Sequence, residues 1–226
     1  SITTLVPPIV AENSSAVTPT TVMMTPLQFA VSISAFDAAS FLLANGARSD
    51  IIVDNNGNNM LHKACATGYT VEQVEFLLER ASSIHFDSVN SNGETVLMLA
   101  LPYPSLVTYL LSYCAEYHPS KLDNWIEAKD NLKGYNVFHK CVENNHVQSL
   151  IYIISKCSDE QLVKLVNGLH RFGNNPLHTA VQKNNLVMAL LLCMTECVNL
   201  QCKNMQGLDA LELSEKNAET AATNGN

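Results

Sequence analysis

"GNNPLHTAV", residues 173–181, sets a glycine, two asparagines, a proline and a histidine ahead of an apolar run. If the phrase punctuates a repeat, the same residue types must return at the same offsets. They do, as "GNNMLHKAC" from Gly57, "GETVLMLAL" from Gly93, "GYNVFHKCV" from Gly134 and "GLDALELSE" from Gly207. A degenerate copy without its glycine, "MMTPLQFAV", starts at Met23. Successive glycines lie 36, 41, 39 and 34 residues apart, and Thr25 precedes Asn59 by 34. The unit is therefore about 33 residues with insertions.

Each position has a physical reason. Thr25, Asn59, Thr95, Asn136, Asn175 and Asp209 stand where a helix would begin, and their side chains accept hydrogen bonds from its first free N–H groups. Pro26 and Pro176 follow at the first helical position, where a missing N–H costs nothing. The glycine two residues before each cap suits a turn that needs positive φ. After the phrase comes a second apolar segment at helical spacing, as in "TVEQVEFLLER" (70–80), "SLVTYLLSYC" (105–114), "HVQSLIYIISKC" (146–157) and "LVMALLLCMTEC" (186–197). Each unit is predicted to be a turn, a short helix and a longer helix.

With these residues in place, the chain resembles the ankyrin-repeat proteins. "NPLHTAV" is one residue type from that family's "TPLHxAA" signature, and the resemblance covers roughly residues 22–217. It implies an all-α solenoid of helix-turn-helix units carrying β-turn or hairpin fingers. Units are expected at about 22–54, 55–90, 91–131, 132–170, 171–204 and 205–217. Several copies depart from the signature: Gln28, Met98 and Glu212 replace the histidine, Cys141 replaces an alanine, and Tyr103 and Pro104 stand where a short inter-helix turn belongs.

Composition suits a single quasi-linear core, with 47% apolar residues, so one domain is expected over 22–217. The longest apolar stretch, 186–194, is too short to cross a bilayer. Residues 1–21 lack a positive n-region and read as a disordered linker rather than a signal peptide. Without an initial methionine, the chain reads as cut from a longer one. Residues 218–226 read as a disordered polar tail.

Seven cysteines, an odd number without a paired framework, point to a reducing compartment, cytoplasm or nucleus. Cys193, Cys197 and Cys202 with His170 and His178 sketch a metal site, but no CxxC is present and buried cysteine is common as a small hydrophobe. No metal is expected. Nor is a cofactor or small-molecule substrate expected, since no GxGxxG or P-loop phrase appears. Cys141 with His139 makes a formal nucleophilic pair, but nothing like an orienting third group or an oxyanion loop accompanies it. The chain is read as a non-enzyme. His62, His139 and His178 recur in one slot, and the resemblance implies a structural strut there. Gly57, Gly93, Gly134, Gly173 and Gly207 complete that framework.

The resemblance implies a protein-binding surface on the turns and first helices. Candidate partner-binding residues are those between glycine and cap, Asn58, Glu94, Tyr135 and Asn174; the turn tips, Asn56, Lys133, Arg171, Phe172, Met205 and Gln206; and Lys63 and Lys140 on the first helices. Aromatic and arginine side chains make the strongest anchors. A formal charge of −8 disfavours nucleic acid and steers a protein with a basic surface or segment toward the chain.

The insertions around 115–133 and 158–170 are a second candidate surface. The first holds Trp125, the sole tryptophan, read as the plug that packs the insertion down or as a partner contact. In the second, Ser158 opens an extra helix with Asp159 and Glu160 in its first turn. Six units with a diverged first copy, extended connections and acidic balance are similar to the IκB-like inhibitors and nuclear cofactors. The broader reading is an interaction module in intracellular signalling or transcriptional regulation. The alternative is a regulatory or substrate-recruiting domain of a larger protein, such as a Notch-like receptor, a ubiquitin-ligase adaptor, a channel or an enzyme.

Overall fold

Every repeated glycine takes the left-handed backbone that its place in the phrase demands, with φ between 70° and 75° at Gly57, Gly93, Gly134, Gly173 and Gly207. The computed structural model describes residues 24–49, 51–80 and 85–224; the expected linker 1–21 lies outside them. Among the described residues there are 13 helices and no strand. The finger turns carry only isolated antiparallel bridges, Ile52 with Asn59 and Val89 with Thr95. Where a single domain was expected, the chain divides into two compact units, residues 1–86 and 87–226.

The first unit holds two helix pairs. Helix α1 (Pro26–Ser32) packs on α2 (Phe36–Ala44), and α3 (Met60–Thr67) on α4 (Val71–Arg80). Gln28, in the histidine slot, closes a capping box with Thr25: the Gln28 N–H donates to Thr25 Oγ1 at 3.2 Å, and the Thr25 N–H to Gln28 Oε1 at 2.8 Å. Gly68 ends α3 at φ 75°, a conformation glycine adopts without a Cβ penalty. Leu27, Val31, Leu43, Leu61, Val74 and Leu77 form the core, closed by Phe36 set edge-on to Tyr69 and Phe76.

In the second unit the pattern continues as α5 (Val96–Ala100) with α6 (Pro104–Tyr117), α8 (Val137–Glu143) with α9 (Val147–Lys156), and α11 (Pro176–Gln182) with α12 (Leu186–Cys193). Helix α5 is cut to five residues: where α8 and α11 still run, it meets Pro102, which has no N–H for the helical ladder, and Pro104 then opens α6. Both insertions are helices: α7 (Pro119–Glu127) and α10 (Asp159–Asn167). They pack on each other, and Gln161 Nε2 donates to Asp123 Oδ1 between them at 2.8 Å. Trp125 is 2% exposed, so it plugs its insertion and is not offered to a partner. Helix α13 (Ala210–Asn224) closes the unit. It runs through residues 218–224, which read from sequence as a disordered tail: Ala, Glu, Thr and Asn without Gly or Pro can extend a helix already nucleated by Asp209.

Candidate functional site

Below each finger, one polar side chain gathers the turn's free N–H groups. Asp130 Oδ1 accepts from the amides of Lys133, Gly134 and Tyr135 at 2.8, 2.9 and 3.2 Å. Asn90 does the same for Asn92 and Glu94, and Asn204 for Gln206 and Leu208. His170 Nδ1 accepts from the Phe172 amide at 2.9 Å, and in the first unit Asp54 accepts from Asn56 and Asn58. Sequence reasoning missed this position. Its signal was present, an Asp, Asn or His three or four residues before every repeated glycine.

Successive fingers of the second unit are then stitched together. The Asn131 N–H donates to the Asn92 carbonyl at 2.7 Å, and the Arg171 N–H to the Lys133 carbonyl at 2.8 Å. His139 Nε2 donates to the Asn174 carbonyl at 3.1 Å, and His178 Nε2 to the Leu208 carbonyl at 3.0 Å. Each imidazole therefore spans from its own cap to the next finger. Burial pushes the His139 pKa down to about 3 against the weaker opposing effect of the Asn174 carbonyl, so the ring stays neutral. Burial lowers His178 as well. A Cβ on Gly173 would meet the Met205 backbone nitrogen and Cγ at 2.8 Å; the glycines are what let the fingers stack this closely.

The stacking sorts the candidate partner residues into two sets. Asn58, Tyr135 and Asn174 are buried. They follow a left-handed glycine that turns the chain back under its finger, so their variability reflects packing and not a surface open to a partner. Tyr135 stacks on His139 at 5.3 Å and meets His170, which in turn meets Phe172 edge-on at 5.6 Å. Glu94 and Lys140 also turn inward: Lys140 Nζ bridges Glu94 Oε1 at 2.7 Å and Asp130 Oδ2 at 3.1 Å. Burial pushes the Glu94 and Asp130 carboxyls up, but the Asn90 amide for one, the Lys133 backbone for the other, and Lys140 for both, hold them below the ordinary range. Lys63 is half-buried.

The remaining candidates stand outside. Asn56, Lys133, Arg171, Phe172, Met205 and Gln206 are exposed, with Phe172 at 65% and Met205 at 75%. In the second unit three consecutive tips read Leu132-Lys133, Arg171-Phe172 and Met205-Gln206. Leu132, missed in the sequence reading, is 61% exposed. The lysines beside the tips are ion-paired: Glu143 lies between Lys133 at 3.5 Å and Lys183 at 3.2 Å, and Lys203 reaches Glu212 at 2.9 Å. This surface offers apolar anchors beside Arg171 and ion-paired lysines. Cys141, the formal nucleophile, is buried and its thiol is pushed up by desolvation, which withholds the reactive thiolate.

Family models for ankyrin repeats match the chain, one described as ankyrin repeats in three copies over residues 9–87 and 27–123 and one as a single ankyrin repeat over 172–204. No curated protein sequence matches the chain. Among solved structures, the ankyrin repeat domain of Bcl-3, a member of the IκB protein family, is 23% identical with a TM-score of 0.66, covering 84% of this chain and 77% of that one. A chain of the complex between the predatory endopeptidase Bd0816 of Bdellovibrio bacteriovorus and the immunity protein Bd3460 is 18% identical at TM-score 0.66, covering 87% and 94%. EF0377, an ankyrin repeat protein, is likewise 18% identical at 0.66, covering 86% and 92%. The capped helix pairs, the left-handed finger glycines and the histidine struts agree with these matches: the chain belongs to the ankyrin-repeat family, and its fold is all-α.

Proposed function

We propose that this chain is a non-catalytic protein-interaction module of intracellular signalling or transcriptional regulation, working in the cytoplasm or nucleus, and that its second unit engages a partner through the three fingertips. One observation carries this reading: Leu132, Arg171, Phe172 and Met205 project from fingers whose turn amides are bonded within the frame, among them those of Lys133, Arg171, Phe172 and Gln206. Exposed apolar and arginine side chains on a preorganised frame bind with little ordering cost. Net charge favours a basic partner overall, and the fingertips offer it apolar anchors beside Arg171. The IκB-like reading is supported by the number of units and the extended connections. The likeness to Bcl-3 is one of fold.

The test is capture from cell extract with the wild-type chain beside an Arg171→Ala, Phe172→Ala, Met205→Ala variant of unchanged melting temperature. A partner held by the wild type and lost by the variant supports the reading. Equal retention of every captured protein overturns the fingertip assignment. Tyr135 is left intact because its buried ring holds up the finger.

A further inference from the structure

Five finger turns are each held from beneath by one side chain, and in four of them it is Asp or Asn: Asp54, Asn90, Asp130 and Asn204. The fifth uses an imidazole. His170 Nδ1 accepts from the Phe172 N–H at 2.9 Å, and a ring nitrogen that accepts carries no proton, so the neutral ring bears its proton on Nε2. The same ring backs the Phe172 side chain, edge-on at 5.6 Å. One imidazole thus holds both the backbone and the ring of an exposed fingertip aromatic.

That substitution changes how the finger responds to acid. An amide oxygen accepts at any pH, and a carboxylate does so down to about pH 4, whereas histidine gains a second ring proton near about pH 6.5. A proton on Nδ1 turns the acceptor into a donor aimed at the Phe172 N–H, and two donors cannot share the bond. The neighbouring bonds do not titrate: the Arg171 N–H stays on the Lys133 carbonyl and the Gly173 N–H on the His170 carbonyl. Release is therefore confined to Phe172.

The surroundings decide how a charged ring is received. Lys133 and Tyr135 face His170 from the preceding finger, Lys129 from its base, His139 and Glu143 from α8, and His178 from α11. Arg171 stands next to it in its own finger, and the following finger, 204–208, brings no titratable side chain. Glu143, the carboxylate in this group, is already shared by Lys133 and Lys183. Burial, with Lys133, outweighs Glu143 and holds the His170 pKa below the ordinary histidine value, so the ring is neutral at neutral pH. Once charged, it relieves its burial by turning toward water, which opens the turn it closed.

We propose that His170 is a pH-sensitive latch on the central fingertip: the neutral ring holds Phe172 in place, and protonation lets it go. Weaker partner binding in acid is the consequence, and that consequence alone rests on the fingertip reading above.

The experiment uses the whole chain, labelled with nitrogen-15 and followed by NMR from neutral pH downward. The His170 ring gives the midpoint, and amide exchange at Phe172, corrected for its intrinsic pH dependence, gives the state of the latch. Protection of the Phe172 amide is expected to fall about tenfold or more across the His170 midpoint, while the Gln206 amide, held by Asn204, keeps its own. His170→Asn, which copies Asn90 and Asn204, is expected to protect Phe172 over the whole range. If that variant does not fold, the wild-type comparison of Phe172 with Gln206 decides alone. A ring that titrates without releasing Phe172, a ring that stays neutral until the chain unfolds, equal loss at Gln206, or the same pH-dependent loss in a folded His170→Asn chain overturns the proposal. Capture from cell extract at the two pH extremes separates the readings. Partners lost in acid by the wild type and kept by His170→Asn support both, whereas amide release with every partner retained leaves the latch standing and overturns the fingertip reading.

Discussion

Single atoms decide how closely the fingers approach, and Gly173 and Gly207 separate two costs that usually come together. Both have φ near 75°, so an alanine at either pays for the left-handed backbone, about 1–2 kcal/mol. At Gly207 nothing lies within 4 Å of the added Cβ, whereas at Gly173 it strikes the backbone nitrogen of Met205, which adds an overpacking cost of about 1–3 kcal/mol. Urea denaturation should therefore show Gly173→Ala less stable than Gly207→Ala by at least about 1 kcal/mol; equal losses would mean the fingers part freely. The struts give a pH prediction. His139 has a folded pKa of about 3 against about 6.5 unfolded. The unfolded state takes up the proton first, so this contribution is intact above about pH 6.5 and is lost as pH falls toward 3, by up to about 1.4 kcal/mol per unit. Burial lowers His178, His170 and His146 in the same sense. Stability measured from pH 7 to 5 should fall, and His139→Gln, which copies the slot filled by Gln28, should flatten the slope by about one histidine; an unchanged slope would show that His139 is not held neutral. Cap residues, glycines and histidines were legible at this scale because their chemistry is local. Asn58, Tyr135 and Asn174 were misread because sequence shows that a position varies but not which way its side chain faces.

Helices depend on the residues that start and stop them, and the inserted α10 shows how far that can be read in advance. Ser158 accepts from the Gln161 N–H at 3.3 Å, and Gln161 Oε1 accepts from the Ser158 N–H at 2.9 Å. This reciprocal box is visible in sequence as Ser with Gln three residues on. Ser158→Ala should destabilise the chain by about 1 kcal/mol, and Ser158→Asp should restore most of it, since Asp also caps. A loss in both would place the effect in packing. Trp125 shows the limit of such reading, since α7, which carries it, packs not only on the adjacent α6 but also on α10, which is remote in sequence. The length of α13 was missed for a related reason. A polar stretch after Leu213 reads as a frayed end, yet nothing between Leu213 and Asn224 is a glycine or proline that would stop a helix capped by Asp209.

At the scale of the molecule, six matching phrases suggested one continuous array, and the structure divides at residue 86. Repeats supply the phrase, but cooperativity is set by how much apolar surface neighbouring units bury, which the phrase does not encode. The second unit holds most of the large fully buried side chains, among them Phe138, Leu97, Leu110, Ile126, Leu150 and Leu165. The first, with a degenerate opening copy, has a smaller core. The two units should therefore lose structure separately, the first at lower denaturant. Trp125, the only tryptophan, lies buried in the second unit, so its fluorescence reports that unit alone, while far-UV circular dichroism reports helices in both. In a urea titration the dichroism should begin to fall before the fluorescence shifts, and the curves should not superimpose. Coincident curves would show that the two units unfold as one cooperative body despite their separate cores. If they do separate, a fragment of residues 87–226 should reproduce the fluorescence transition of the whole chain, because the struts, the finger stack and the Trp125 plug all lie within it.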